Sequence, residues 1–181
     1  MGVKLLKDKL VLGSAGKPTP DAITLDIDPE HKPDVVHDLH VVPLPFEDDQ
    51  FKEITCHHVL EHLNDLYAVM GELHRICRSD GTLYIEVPHH SSWCANTPDH
   101  KLHFNYFAFD GYLASEQTWR TGKKFKLIKR EITFHRRFRR FGLHKLFNAR
   151  PMNYERFWTY IFPAEHFKIW LQPVKPREVA S

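Results

Sequence analysis

The chain has 181 residues, 42% of them hydrophobic, and a formal net charge of +2, which suits one domain with a real core and excludes disorder along its whole length. No apolar run approaches the roughly 20 residues of a bilayer-spanning helix, and the N-terminal MGVKLLKDKL lacks the apolar core and small-residue cleavage site of a secretory leader; a cytoplasmic location is expected. Three cysteines, Cys56, Cys77 and Cys94, have no CxxC spacing, which speaks against a disulfide framework and for a reducing compartment.

The small net charge hides an asymmetry. Between Arg120 and Arg150 stand twelve Lys or Arg residues and one acid, Glu131, so this segment is near +11 and the remainder near −9. A division of that kind guides an anionic partner to one face.

In chain order, KLVLG (9–13) predicts a buried strand that ends in the turn Gly13-Ser14-Ala15-Gly16. AITLDI (22–27) predicts a second strand that stops at acids. About ten residues separate them, two of them prolines, too few for an ordinary crossover helix. PDVVHDL (33–39) is a third short run, and EITCHHV (53–59) a fourth after the turn-rich PLPFEDDQ. Leu63, Leu66, Tyr67, Met70, Leu73 and Cys77 then recur three and four apart, the spacing of a helix, with a stop at Ser79-Asp80-Gly81. TLYIEVP (82–88) is a fifth strand. Short apolar strands with a crossover helix predict a mostly parallel sheet buried on both faces.

The second half reads differently. HHSSWCANTPDHKLHF (89–104) is a long polar-aromatic loop of a length that is usually functional. A helix is predicted in 105–115, a strand over 124–136, a short helix or turn in FRRFGLHKLFN, a helix over 153–162 and a strand over 166–174. The late strands extend the sheet as an antiparallel edge. The expected organisation is one α/β domain over 1–181, with a core at 9–104, a basic sheet-edge and C-terminal extension at 105–174, and a tail at 175–181 that frays.

Ligands of open α/β sheets bind beyond the carboxyl ends of the strands. Those ends supply Gly13 to Gly16, Asp26 and Asp28, Asp38, His57 and His58, and then Pro88, His89 and His90. Glycines let backbone approach a ligand closely. An acid after the second strand can accept ribose hydroxyls, and an acid after the third can take a base amine, so the set is adenosine-shaped.

LPFEDDQFKEITCHHVLEHL, followed by ELHRICRSDGTLYIEVP, resembles the small class I S-adenosylmethionine-dependent methyltransferases of the type 11 kind over about residues 9 to 104. The block from LPF to VLEH and the E-x-x-R helix end carry the likeness. The sequence departs from the pattern in its first-strand loop, reduced to LGSAG, in Lys52 after Phe51, and in R-I-C-R-S-D-G. The resemblance implies a Rossmann-like sheet with S-adenosylmethionine across the first strand ends. It places Gly13, Ser14, Ala15 and Gly16 in the cofactor loop, Asp26 at the ribose, Asp38 and Leu39 at the adenine, and His57 and His58 beside the methyl donor. It implies direct methyl transfer, in which the protein aligns the partners and excludes water. An acceptor that carries a proton needs a base, and histidine suits neutral pH. His100 is the first candidate, followed by His58 and His89. No residue is assigned to a metal.

Three rival readings stand beside this one. The basic segment interleaves cations with Phe125, Phe134, Phe138 and Phe141, as a nucleic-acid-binding module without catalysis would; nucleic acid or another anionic molecule is equally an expected methyl acceptor. His58 and His62 with Glu61 between them, followed by His89-His90 and by Asp99, His100 and His103, suggest a metal-dependent hydrolase, although the order H-V-L-E-H is not H-E-x-x-H. A nicotinamide dehydrogenase would want G-x-G-x-x-G, which this loop lacks.

Overall fold

The computed structural model describes residues 7–17, 19–114, 124–139 and 141–175. Strands β1 (Lys9–Leu12), β2 (Ile23–Asp26), β3 (Val35–Val36), β4 (Phe51–His57) and β5 (Cys77–Pro88) pair in parallel. Two long strands, β6 (Lys124–Phe134) and β7 (Ala164–Val174), complete a seven-stranded sheet of order β3-β2-β1-β4-β5-β7-β6. β7 is antiparallel to both β5 and β6, so the expected antiparallel edge is present.

Among the described residues, α1 (Leu66–Ile76) is the one crossover helix of ordinary length. Asp65 caps it, its side chain accepting the Ala68 N–H at 3.0 Å, one of the amides a helix N-terminus leaves without a partner. Val69, Met70, Leu73 and Ile76 share one core with Leu10, Leu12, Ile54, Leu83 and Ile85. Among the described residues no helix stands between β1 and β2, and the chain passes from β2 to β3 through a single 3-10 turn, Pro29–His31. The short early crossovers expected from the spacing are therefore real.

Several boundaries differ from the sequence-based expectation. The third strand shrinks from 33–39 to Val35–Val36. The helix stops at Ile76, and β5 begins at once and runs through Ser79-Asp80-Gly81. The turn signal survives as a bulge: Phe51 partners Cys77 and Glu53 partners Thr82, so residues 78–81 loop out of the ladder, and a Cβ on Gly81 would stand 2.9 Å from the Lys52 carbonyl. The predicted helix in 105–115 is a set of turns ending in the 3-10 turn Asp110–Tyr112, and Ser115 lies outside the described residues. Tyr106, Phe109 and Tyr112 are all buried; their spacing of three suits 3-10 geometry better than α geometry.

Between β6 and β7 come α2 (Arg136–Arg139), α3 (Leu143–Ala149) and α4 (Pro151–Asn153), which continues as a π-helical turn, Tyr154–Trp158. The Asn148 amide fastens α3 to β6 by accepting from Ile132 N–H at 2.8 Å and donating to Ile132 O at 2.9 Å.

The expectation of a sheet buried on both faces is corrected. Leu10, Leu12, Ile54, Cys56, Leu83 and Ile85 point to the buried side. Their neighbours Lys9, Glu53, Thr55, His57, Tyr84 and Glu86 point to the other, where no described helix lies over them. That side is held by side-chain pairs: Lys9 to Glu53 at 3.0 Å, Lys168 to Glu86 at 3.2 Å, and Tyr84 against Trp170 with ring centroids 4.7 Å apart. The physical reason is the alternation of polar and apolar residues in β4 and β5, which suits a sheet with one wet face.

Candidate cofactor site

The carboxyl ends of β1, β2 and β4 converge on a cleft of about 330 Å³ lined by Gly13, Ala15, Asp26, Asp38, Leu39, His58 and Val59 among others. That volume falls within the range of small-molecule sites. Gly13 has φ +67°, and a Cβ there would stand 2.1 Å from Val59 Cγ2, so only glycine fits the exit of β1 against the chain leaving β4. Its N–H donates to Leu25 O at 3.0 Å, which ties the β1 exit to β2. The turn closes with Lys17 N–H on Ser14 O at 2.9 Å, and Ala15 and Gly16 both take positive φ, 46° and 73°.

Asp26 is the hinge of this turn. Its Oδ2 accepts the Ala15 N–H at 3.1 Å and lies 3.3 Å from His31 Nδ1, while Oδ1 accepts the Asp28 N–H at 3.1 Å. Burial disfavours its charge, but these bonds together hold the carboxyl below its ordinary range. An ionised carboxylate offers about four acceptor sites. Three are taken, so one acceptor site is free and a further donor would have to displace His31. Asp38 is held below its usual range by the His40 N–H and ring, at 2.9 and 2.8 Å. Leu39, 7% exposed, forms an apolar wall beside it.

His57 and His58 are adjacent in the chain and part company. His58 lines the cleft in a left-handed conformation, φ 52°, with its N–H on Glu86 O at 2.9 Å. Its Nδ1 lies 3.2 Å from Glu61 Oε1, and this pairing raises its pKa above the ordinary histidine value. His57 turns to the open face of the sheet, 3.4 Å from Glu86. Ser14 is buried beneath the turn.

The other histidine candidates, His89 and His100, do not line the cleft, although His100 packs on His62, which does. His89 is fully buried at the end of β5, and both ring nitrogens are engaged. Nδ1 accepts the Ser91 N–H at 3.2 Å, so Nε2 carries the proton and donates to Glu155 Oε1 at 2.9 Å. Burial pushes the His89 pKa down. Glu155 also pairs with His90 at 3.1 Å and accepts the Tyr106 N–H at 2.7 Å; burial opposes its charge, but these partners pull its pKa down to about 2. His100 sits in the 89–104 loop, its ring 4.8 Å from that of His62.

Some functional contacts carried a sequence signal without a visible partner. Arg75 donates to Leu44 O at 3.1 Å, Phe46 O at 2.8 Å and Glu72 Oε2 at 2.6 Å, and Glu72 in turn accepts the Leu44 N–H at 2.7 Å. The E-x-x-R and L-P-F elements are thus two halves of one clamp. No sequence signal marks His31, yet it faces Asp26.

In the basic segment, Arg120 and Lys123 lie outside the described residues, as does Arg140. Lys124, Lys126, Lys129, Arg136, Arg137 and Arg139 are exposed. Phe125 and Phe134 are buried core residues, which removes them as stacking platforms for bases; Phe141 is 77% exposed. Tyr160, 82% exposed, adds an aromatic that the segment did not include.

Strand order, the antiparallel seventh strand and a cleft over the first strand ends define an α/β fold of the methyltransferase type. Residues 18–85 match the model of a family described as a methyltransferase domain. Over that stretch the chain is similar to methyltransferase domains, and its sheet has the Rossmann-like fold of class I S-adenosylmethionine-dependent methyltransferases. No curated protein matches its sequence. The fold is shared with a SAM-dependent methyltransferase of Archaeoglobus fulgidus (TM-score 0.61, 15% identity, 91% of this chain and 85% of that one). It is also shared with a chain from the complex of the Haloferax volcanii Trm112 methyltransferase activator and a methyltransferase (TM-score 0.55, 18% identity, 93% and 84%). A third similar fold is an S-adenosylmethionine-dependent methyltransferase of Mesorhizobium loti (TM-score 0.53, 13% identity, 91% and 90%).

Proposed function

We propose that the cleft over β1, β2 and β4 binds S-adenosylmethionine and that the chain transfers its methyl group to an anionic acceptor. The observation that carries this reading is the convergence on one cleft of Gly13, Asp26, Asp38 with Leu39, and His58. The cofactor supplies an already activated methyl group. What remains for the protein is to hold two partners in line and keep water away. Gly13 admits the ligand close to backbone, Asp26 offers its free acceptor site to the ribose, and Asp38 and Leu39 bracket the base. Gly16 and Ser14 support the turn, and His57 serves the open face.

His58 is the base in this reading. It lines the cleft, and Glu61 Oε1 at its Nδ1 orients the ring as a carboxylate orients a histidine in a hydrolytic triad. The left-handed backbone at His58 is a conformation that few side chains adopt and that clusters at active sites. The exposed cations of β6 and α2 attract the acceptor.

Calorimetry with S-adenosylmethionine and S-adenosylhomocysteine tests the cleft. Wild type is expected to bind at micromolar strength, Asp38→Ala more weakly, and Asp26→Ala more weakly by about 2 kcal/mol, the scale of a hydrogen bond to a charged group. Equal affinity in all three proteins, or none in wild type, overturns the assignment.

A further inference from the structure

We infer that Glu61, His62 and His100 form a binding site for a divalent transition-metal ion, zinc by its donor set. One donor atom from each of the three lies within 4.8 Å of the others. Glu61 is 1% exposed, and its Oε2 has no hydrogen-bond partner among the described residues. A buried carboxylate oxygen left unpaired is costly, and a cation removes that cost.

The two imidazoles are prepared as ligands. His62 Nδ1 lies 3.2 Å from the Asp99 carbonyl and 3.3 Å from Asp99 Oδ2, both acceptors. His100 Nδ1 lies 3.3 Å from the Ala95 carbonyl, again an acceptor. Each Nδ1 therefore donates, which leaves Nε2 of each ring as the atom to ligate a metal. A metal-bound histidine commonly shows this pattern, with its second nitrogen donating to a carboxylate or carbonyl that fixes the tautomer. The 89–104 loop is itself fastened to Glu61, whose backbone carbonyl accepts the N–H groups of Lys101 and Leu102 at 2.8 and 3.0 Å.

Two nitrogens and one oxygen suit zinc, and three protein donors leave a fourth position for water or a ligand atom. Ligand atoms around tetrahedral zinc stand roughly 3.3 Å apart, given zinc–nitrogen bonds near 2 Å, so small side-chain rotations close the site. Glu61 Oε1 stays with His58. Among the described residues, the two other clusters of this composition are already satisfied. Glu155 is occupied by His89, His90 and the Tyr106 N–H, and Glu86 by Tyr84, His57 and Lys168. The site adjoins the cleft, which His62 also lines, and Glu61 also holds His58, but its donors include none of Gly13, Asp26 or Asp38 and its test needs no cofactor.

The test is titration of untagged, metal-stripped protein with Co²⁺, followed by Zn²⁺ competition. One equivalent of Co²⁺ is expected to give the visible d–d bands of a tetrahedral site, and one equivalent of Zn²⁺ to remove them. His100→Ala is expected to weaken Co²⁺ binding at least tenfold, as is His62→Ala, whose half-exposed ring makes the variant tolerant. Asp99→Ala is expected to weaken it about tenfold through the tautomer of His62. His90→Ala, in the neighbouring cluster, is expected to leave it unchanged. Absence of saturable binding, binding undiminished in His62→Ala and His100→Ala, or loss of binding in His90→Ala overturns the site. None of these readouts depends on S-adenosylmethionine.

Discussion

Gly13 and Val59 meet where β1 and β4 leave the sheet, so closely that a Cβ on Gly13 would overlap Val59 Cγ2 at 2.1 Å. The contact sets the floor of the cleft and joins the first glycine of the turn to the segment that carries His58.

Gly13→Ala is expected to cost about 3 kcal/mol, from left-handed backbone strain and overpacking together. Gly13→Ala combined with Val59→Ala is expected to recover the packing part and leave the strain. Urea unfolding of the two single variants and the double variant measures both parts. If Gly13→Ala is as stable as wild type, the close approach does not exist.

The clamp between α1 and the L-P-F segment gives a second expectation. Arg75 bridges Leu44 O, Phe46 O and Glu72, a planar fork that lysine cannot reproduce. Arg75→Lys is expected to lower stability by about 2–3 kcal/mol. Hydrogen exchange at the Leu44 amide, which donates to Glu72, should accelerate in the same variant. Unchanged exchange there would separate the two motifs.

Glu155 gives a pH dependence of definite sign. Its pKa falls from 4.5 to about 2 in the folded state. A depressed carboxylate contributes stability that is complete above pH 4.5 and is lost as pH falls toward 2. The contribution is on the order of 3 kcal/mol. Glu155→Gln is expected to lose it at pH 7 and to flatten the acid limb of the stability profile. An acid limb as steep as that of wild type would assign the dependence to other carboxylates.

The basic face predicts salt dependence. Arg136, Arg137 and Arg139 are exposed on α2. Replacing all three with glutamate is expected to reduce retention of a single-stranded RNA probe. The slope of log affinity against log salt should fall by about two to three, one unit or less for each phosphate contact removed. Cofactor affinity should not change. An unaltered slope would place the acceptor surface elsewhere.

Much of the fold was legible in the residues, because strands, turns and the helix of 66–76 rest on short-range signals. Alternation placed the strands. Glycines marked the turn at Gly13–Gly16, and spacing of three and four marked α1. Acids at strand ends pointed to a cleft above them. The late strands were visible by the same alternation. Where short-range signals met tertiary packing the outcome differed, as at Ser79-Asp80-Gly81, which became a bulge within β5 and not a turn ahead of it, and at 105–115, where buried aromatics fixed a 3-10 turn instead of a helix.

By itself the sequence determined the α/β class, the order of early strands and turns, and the residue types gathered at the strand ends. Tertiary structure alone decided which side each of those residues faces. His57 and His58 are neighbours, yet one meets Glu86 on the wet face and the other meets Glu61 in the cleft. Consecutive strand residues point to opposite sides, and which side is covered depends on helices and loops far along the chain. The same distance rule hid the Arg75 clamp, the burial of His89 against Glu155 and the approach of His100 to Glu61. Each joins residues from separate segments, through contacts that exist only once the sheet has been assembled.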